Sequence, residues 1–285
     1  MKSYLILIFT LLYTACFSQS IDNELYSLVK VQNEKAVVIL FPCFPCGAQH
    51  TKKEASFLKE LENTKTSIIL LNENQKLFLE EKDKTRIADL LKTIFKKHSL
   101  STSNLYIGGF SSGGNLTILM TQYLIQHSDI HPKGIFIVDS PIDLEQLYYN
   151  SEKNIERNFN ETSVNESKFI IDLLQNSLGN PKTHKENYIR YSPFLSSVKE
   201  QVYLKDLRNI KIRFYSEPDQ EWYKNNREKE YQELNTFQLE KAKEYLYNSE
   251  LILTKNRGYR TNGQRHPHSW SILDGQDFIN WIFSE

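Results

Sequence analysis

The chain has 285 residues, 40% hydrophobic and 25% charged, which is ordinary for a globular protein and enough for one full core. Lysine plus arginine and aspartate plus glutamate balance at 35 each, so the formal net charge is zero. That balance, with no long run of one sign, supplies neither the basic footprint of nucleic-acid binding nor a patch to steer the chain onto an anionic membrane.

Met1-Lys2 is a short positive start, and Tyr4 to Tyr13 is an almost unbroken apolar run. A spanning helix needs about 20 apolar residues, so this run is too short and reads as a signal peptide over residues 1–18. Cleavage after Cys16-Phe17-Ser18, before Gln19, is the preferred route. Tyr13-Thr14-Ala15-Cys16 also resembles a lipoprotein box, in which Cys16 would carry a lipid anchor. Both routes export the chain. Residues 21–285 are expected to form a single domain with no membrane span.

After a polar stretch read as helical, Ala36 to Phe41 is a continuous apolar run rich in β-branched residues, as in a strand buried on both faces. Helical spacing follows over His50–Leu61, then a short strand over Ser67–Leu71. Lys84–Lys97 places Ile87, Leu90, Leu91, Ile94 and Phe95 on one helical face. Leu105–Ile107 is the next strand, and Leu116–Leu124 the next helix. Ile135–Val138, Lys211–Tyr215 and Leu251–Thr254 complete the strands. Strands alternating with helices of this size predict an α/β architecture, a mostly parallel sheet with helices on both faces. Residues 142–201 interrupt the alternation as a partly helical insertion, read either as a lid over a site or as a long surface excursion. Glu221–Tyr247 reads as a charged helical stretch with a solvated face.

Gly108-Gly109-Phe110-Ser111-Ser112-Gly113-Gly114 gathers four of the ten glycines into seven residues. Within it, Gly109 to Gly113 matches G-x-S-x-G, with a strand before and a helix after. A strand that turns sharply into a helix leaves the central serine strained and exposed, and side chains at the flanking glycines would clash. The helix N-terminus then offers free N–H groups to a developing oxyanion. Ser111 is the candidate nucleophile. The competing reading is a glycine-rich phosphate cradle, but the segment lacks the lysine of a Walker loop and the G-x-G-x-x-G spacing.

A serine hydroxyl needs a base held by a third group. Of the seven histidines, His127 and His131 fall close behind the elbow helix and His184 within the insertion. His266-Pro267-His268-Ser269-Trp270 follows the last strand and precedes a terminal apolar helix. With the elbow and the strand order over Ala36–Glu285, this segment resembles the final loop of α/β-hydrolases, where the base histidine stands shortly before a tryptophan. The resemblance implies acyl transfer on an ester or amide, of carboxylesterase or peptidase type, with a small-molecule or peptide substrate and no cofactor. It assigns His268 as base with His266 in reserve. It assigns Asp219, beyond the strand Lys211–Tyr215, as the acid, with Glu217 and Asp139 as alternatives and Asp143 beside the latter. The oxyanion donors it implies are the N–H of Ser112 and that of Cys43 or Phe44, in the loop after Phe41.

That loop departs from the family's common His-Gly or Gly-Gly and contains Cys43-Phe44-Pro45-Cys46. A structural disulfide suits an exported chain. Free thiols, a thioredoxin-like disulfide oxidoreductase, and a zinc site with His50 are the other readings. A hydrolase fold kept as a binding protein without turnover is a further alternative. His-x-His could hold a metal, but no carboxylate–histidine cluster accompanies it. Arg260 and Arg265, near the candidate base, read first as ordinary exposed arginines, with the holding of an anionic group as the alternative.

Overall fold

The computed structural model describes residues 18–73 and 76–284. The leader expected over residues 1–18 falls outside them except for Ser18, and Cys16 falls outside as well. In chain order the structure begins with β1 (Ser18–Asp22), β2 (Tyr26–Val31) and β3 (Ala36–Phe41), then short helices α1 (Ala48–Glu54) and α2 (Leu58–Leu61). Next come β4 (Thr66–Leu71), α3 (Glu81–His98), β5 (Leu105–Phe110), α4 (Ser112–His127) and β6 (Gly134–Val138). The insertion supplies α5 (Leu144–Arg157), α6 (Glu161–Leu178) and α7 (Lys185–Tyr191). The chain then returns through β7 (Lys211–Ser216), α8 (Gln220–Arg227), α9 (Asn235–Lys243), β8 (Ser249–Leu253) and α10 (Gly275–Phe283).

The eight strands form one sheet in the order β1-β2-β4-β3-β5-β6-β7-β8. The six apolar runs singled out in the sequence become β3 to β8, all parallel. The stretch before Ala36 is not helical: it forms β1 and β2, an antiparallel pair that extends the sheet beyond β4. Side chains alternate across the sheet with period two. Val37, Ile39 and Phe41 of β3 pack with Ile87, Leu91 and Leu119 of α3 and α4 on one face. Val38 and Leu40 pack with Leu58, Phe278 and Ile282 of α2 and α10 on the other. Both faces are covered, which is why the central strands read as continuous apolar runs.

The strand order also fixes where a site can form. From β3 the chain moves outward to β4, and from β5 it moves outward the other way to β6, so connections diverge between the adjacent β3 and β5. A crevice opens at the carboxyl ends of strands at such a switch point. The loop after β3 and the turn after β5 both lie there, and α5 and α6 flank the opening.

Candidate active site

The turn from β5 into α4 holds Ser111 at φ 56° and ψ −128°, a sparsely populated conformation for a residue with a side chain. The turn is locked in place: Ser111 N donates to Val138 O at 2.9 Å, and Gly114 N donates to Ser111 O at 3.0 Å. A Cβ on Gly109 would fall 2.2 Å from the Gly113 carbonyl, so the tight turn demands glycine there. A Cβ on Gly113 would fall 2.4 Å from Phe41 O, so glycine also lets the start of α4 press against the loop leaving β3. That approach brings Ser112 beside the Cys43–Phe44 segment. The backbone N–H groups of Ser112 and Phe44 make no hydrogen bond among the described residues, and both residues line one cavity with Ser111. Cys43, the other donor candidate, is buried in the core behind that wall.

His268 reaches the same cavity from the loop after β8, its ring packed 4.5 Å from that of Phe110. Trp270, two residues on and buried, anchors this loop in the core against Phe57 and Phe110. His268 Nδ1 lies 2.6 Å from Asp139 Oδ2. A carboxylate only accepts, so Nδ1 carries the proton and Nε2 is left as an acceptor.

Asp139 follows β6 directly, buried, at φ 44°. Aspartate tolerates this left-handed conformation better than most residues. Its N–H donates to Tyr215 O at 2.8 Å and its carbonyl accepts from Asn235 Nδ2 at 2.9 Å. Its Oδ1 accepts from Ser216 Oγ at 2.6 Å. Since the Ser216 proton is thereby committed, Thr236 Oγ1, 2.6 Å away, donates to Ser216. The end of β7 and the start of α9 thus orient the carboxylate that orients the imidazole.

The other carboxylates are engaged elsewhere, which corrects the preference for Asp219. Asp219 caps α8 by accepting from Trp222 N at 3.0 Å, and its other oxygen pairs with Arg265 Nη2 at 2.6 Å. Glu217, also weighed as the acid, is buried: Oε1 pairs with Arg265, and Oε2 accepts from Thr254 Oγ1, Arg257 N and Gly258 N. It ties down the loop that carries His268. Asp143 caps α5 and accepts from both N and Oγ of Ser196. Sequence reasoning missed Asn235, Ser216 and Thr236, whose only local signal is their place at the end of a strand and the start of a helix.

His266 lines the cavity but its Nδ1–H donates to His268 O at 2.9 Å rather than to a carboxylate, and its ring packs 4.9 Å from Trp222. Burial first, then the neighbouring His268, Arg260 and Arg227 charges, push its pKa down to about 3. The unfolded chain therefore binds a proton that the folded chain refuses. His266 adds stability above pH about 6.5, and that contribution is lost as pH falls from there toward about 3. Thermal melts of His266→Asn from pH 7 to pH 4 should show a flatter acid decline than wild type. Parallel declines would mean that His266 does not carry it.

Cys43 and Cys46 form a disulfide, and their sulfurs lie with a His50 ring nitrogen within 4.8 Å of one another. Sulfurs bonded to each other are not the thiolates that a zinc ion requires. The pair spans the loop beside the elbow, at the exit of β3 and within an eight-stranded sheet. That sheet is not the thioredoxin-like framework the Cys-x-x-Cys spacing could have introduced.

No protein-family model matches the sequence, and comparison with curated proteins finds no relative. Solved structures do match. The chain is similar to the fluorophosphonate-binding serine hydrolase F of Staphylococcus aureus at 10% identity and a TM-score of 0.56, covering 95% of this chain and 99% of that one. It is similar to an esterase of the bacterial hormone-sensitive lipase family at 12% identity and a TM-score of 0.55, covering 94% and 82% of the two chains. An acylaminoacyl peptidase of Pyrococcus horikoshii matches at 18% identity and a TM-score of 0.55, over 94% of this chain and 40% of that one. With the sheet order and the helices on both faces, these likenesses establish that the chain has the α/β-hydrolase fold.

Proposed function

We propose that the protein is an exported serine hydrolase that cleaves an ester or amide acyl bond through Ser111, His268 and Asp139. One observation carries this reading: Nδ1 of His268 is committed to a buried carboxylate, while the ring borders the cavity that also holds Ser111 in an elbow turn. Ser111 Oγ attacks the carbonyl carbon as His268 Nε2 takes its proton. The N–H groups of Ser112 and Phe44 receive the negative charge that develops on the carbonyl oxygen. His268 returns the proton to the leaving group, and water, activated the same way, releases the acyl group from Ser111. The apolar segment Tyr4–Tyr13 and the Cys43–Cys46 disulfide support export to an oxidising compartment.

The test is labelling of the mature protein with a fluorophosphonate. Wild type is expected to label to near stoichiometry and Ser111→Ala not at all. A folded wild type that takes no label would sink the reading and leave a hydrolase fold used for binding, or the cysteine pair as a redox centre. Labelled protein would then be screened on paired ester and amide substrates, which separates the carboxylesterase and peptidase types.

A further inference from the structure

The cavity that holds Ser111 and His268 has a volume of ≈ 710 Å³, enough for a ligand well beyond a simple acetyl ester. Part of its wall is apolar, from Leu77 and Leu147 and from the Phe44 and Phe169 rings packed 5.3 Å apart. Another part is cationic. Arg227 ends α8, Lys229 sits in the turn after it, and Arg260 lies on the loop before His266, held where Arg260 N donates to Gln264 O at 2.9 Å.

These cations differ from their neighbours in having no carboxylate at ion-pair distance among the described residues, although Glu166 acts on Lys229 and Arg260 and Glu54 acts on Arg260. Arg265 is paired with Glu217 and Asp219, Arg257 with Asp274, and Arg157 with Glu233. Arg227, Lys229 and Arg260 make no ion pair among the described residues, and Arg227 donates only to Ser163 Oγ, at 2.7 Å. Two glutamates also line the cavity. Glu233 is taken up by Arg157 at 2.6 Å, Lys153 at 3.8 Å and Glu230 N, and Glu166 makes no ion pair among the described residues. Burial lowers the pKa of both Lys229 and Arg260; Glu166 raises that of Lys229 and Glu54 that of Arg260, while the positive charge of Arg227 lowers each. Like charges on a half-buried wall repel until an anion joins them, and guanidinium groups match carboxylate and phosphate oxygens in geometry.

We propose that Arg227, Lys229 and Arg260 form a subsite for an anionic group of the substrate, so that the preferred acyl substrates carry a carboxylate or phosphate near the bond that is cleaved. The acyl chemistry rests on the function proposed above; the anion subsite is testable without it. Binding is measured by calorimetry on Ser111→Ala, using 4-acetamidobenzoate, its neutral carboxamide counterpart, and phenyl phosphate. The better of the two anions is expected to bind at least about tenfold more tightly than the neutral compound. Whichever anion binds more tightly identifies the group recognised. The margin should fall to about threefold or less when Lys229→Gln and Arg260→Gln are added, and largely survive Arg260→Lys, which keeps the charge.

Equal affinity for charged and neutral compounds, or no binding by either anion, overturns the subsite. So does a margin that survives the loss of both cations. Fluorophosphonate labelling without an anion preference would keep the hydrolase and remove the subsite. An anion preference without labelling would keep the subsite on a fold that does not hydrolyse.

Discussion

Asp139→Asn is expected to lower kcat for ester hydrolysis by about 10⁴-fold, in a protein that folds normally. The substitution is nearly isosteric, and the asparagine oxygen can still accept from Ser216 Oγ, which donates at 2.6 Å to the present carboxylate. What changes is the atom facing His268 Nδ1. An amide nitrogen donates, so it selects the tautomer with an unprotonated Nδ1 and a proton on Nε2. An imidazole in that state cannot take the Ser111 proton, and raising the pH does not restore it.

Asp219→Asn is the control. Asparagine caps helices as well as aspartate does, so the bond from Trp222 N, 3.0 Å in the present structure, has a ready replacement. Arg265 keeps Glu217 as a partner. Activity within about threefold of wild type and a stability change below about 1 kcal/mol are expected. Steady-state kinetics on both variants decides the matter. The reverse pattern, with Asp219→Asn inactive and Asp139→Asn active, would return the acid to the turn after β7.

The ambiguity among these carboxylates was inherent in the sequence. Asp139, Glu217 and Asp219 all follow parallel strands, where acidic residues are common for local reasons. Arg265, 48 residues beyond Glu217 and 46 beyond Asp219 along the chain, separates them by engaging both. No local pattern announces that partnership. The elbow was legible because its geometry is local: Gly109 and Gly113 are required by backbone atoms within a few residues or on the adjacent strand. The parallel strands were legible because burial on both faces leaves a continuous apolar run.

The departures have physical causes as well. β1 is an exposed edge, and β2 interleaves Ser27 and Lys30 with its apolar residues. Both depend on pairing outward from β4, with Tyr26 opposite Leu71, so their identity is non-local. The helical spacing over His50–Leu61 is interrupted at Ala55–Phe57 without glycine or proline to mark the break, and α1 and α2 result. The charged stretch Glu221–Tyr247 read as a solvated face. Yet Tyr223, Arg227, Lys229, Glu233 and Asn235 line the cavity, because α8 and α9 fold back beside the carboxyl ends of the strands. Polarity alone cannot distinguish a face turned to solvent from one turned to a polar cavity.

Removing Glu217 should show how closely stability and the site are joined. Its side chain is 1% exposed and gathers four partners from the segment after β8: Thr254, the N–H groups of Arg257 and Gly258, and Arg265. Glu217→Ala strips all four at once and leaves the Arg265 guanidinium with Asp219 as its carboxylate partner, its Nη1 still donating to Gly258 O. Breaking a buried ion pair from one side costs about 3–5 kcal/mol, because the remaining charge loses its compensation. A loss of about 3 kcal/mol in urea unfolding is expected, discounted because Arg265 is 21% exposed. Glu217→Gln should lose less, since an amide oxygen still accepts from the backbone N–H groups. Glu217→Ala should also lower kcat, because Gly258 N–H and Arg265 fasten the loop that brings His268 to Ser111. Arg265→Met then separates the two effects. If the ion pair carries the stability, Arg265→Met and Glu217→Ala should couple strongly in a double-mutant cycle. If the backbone bonds to Glu217 carry it, Arg265→Met should be mild, and only Glu217→Ala should lose both stability and turnover.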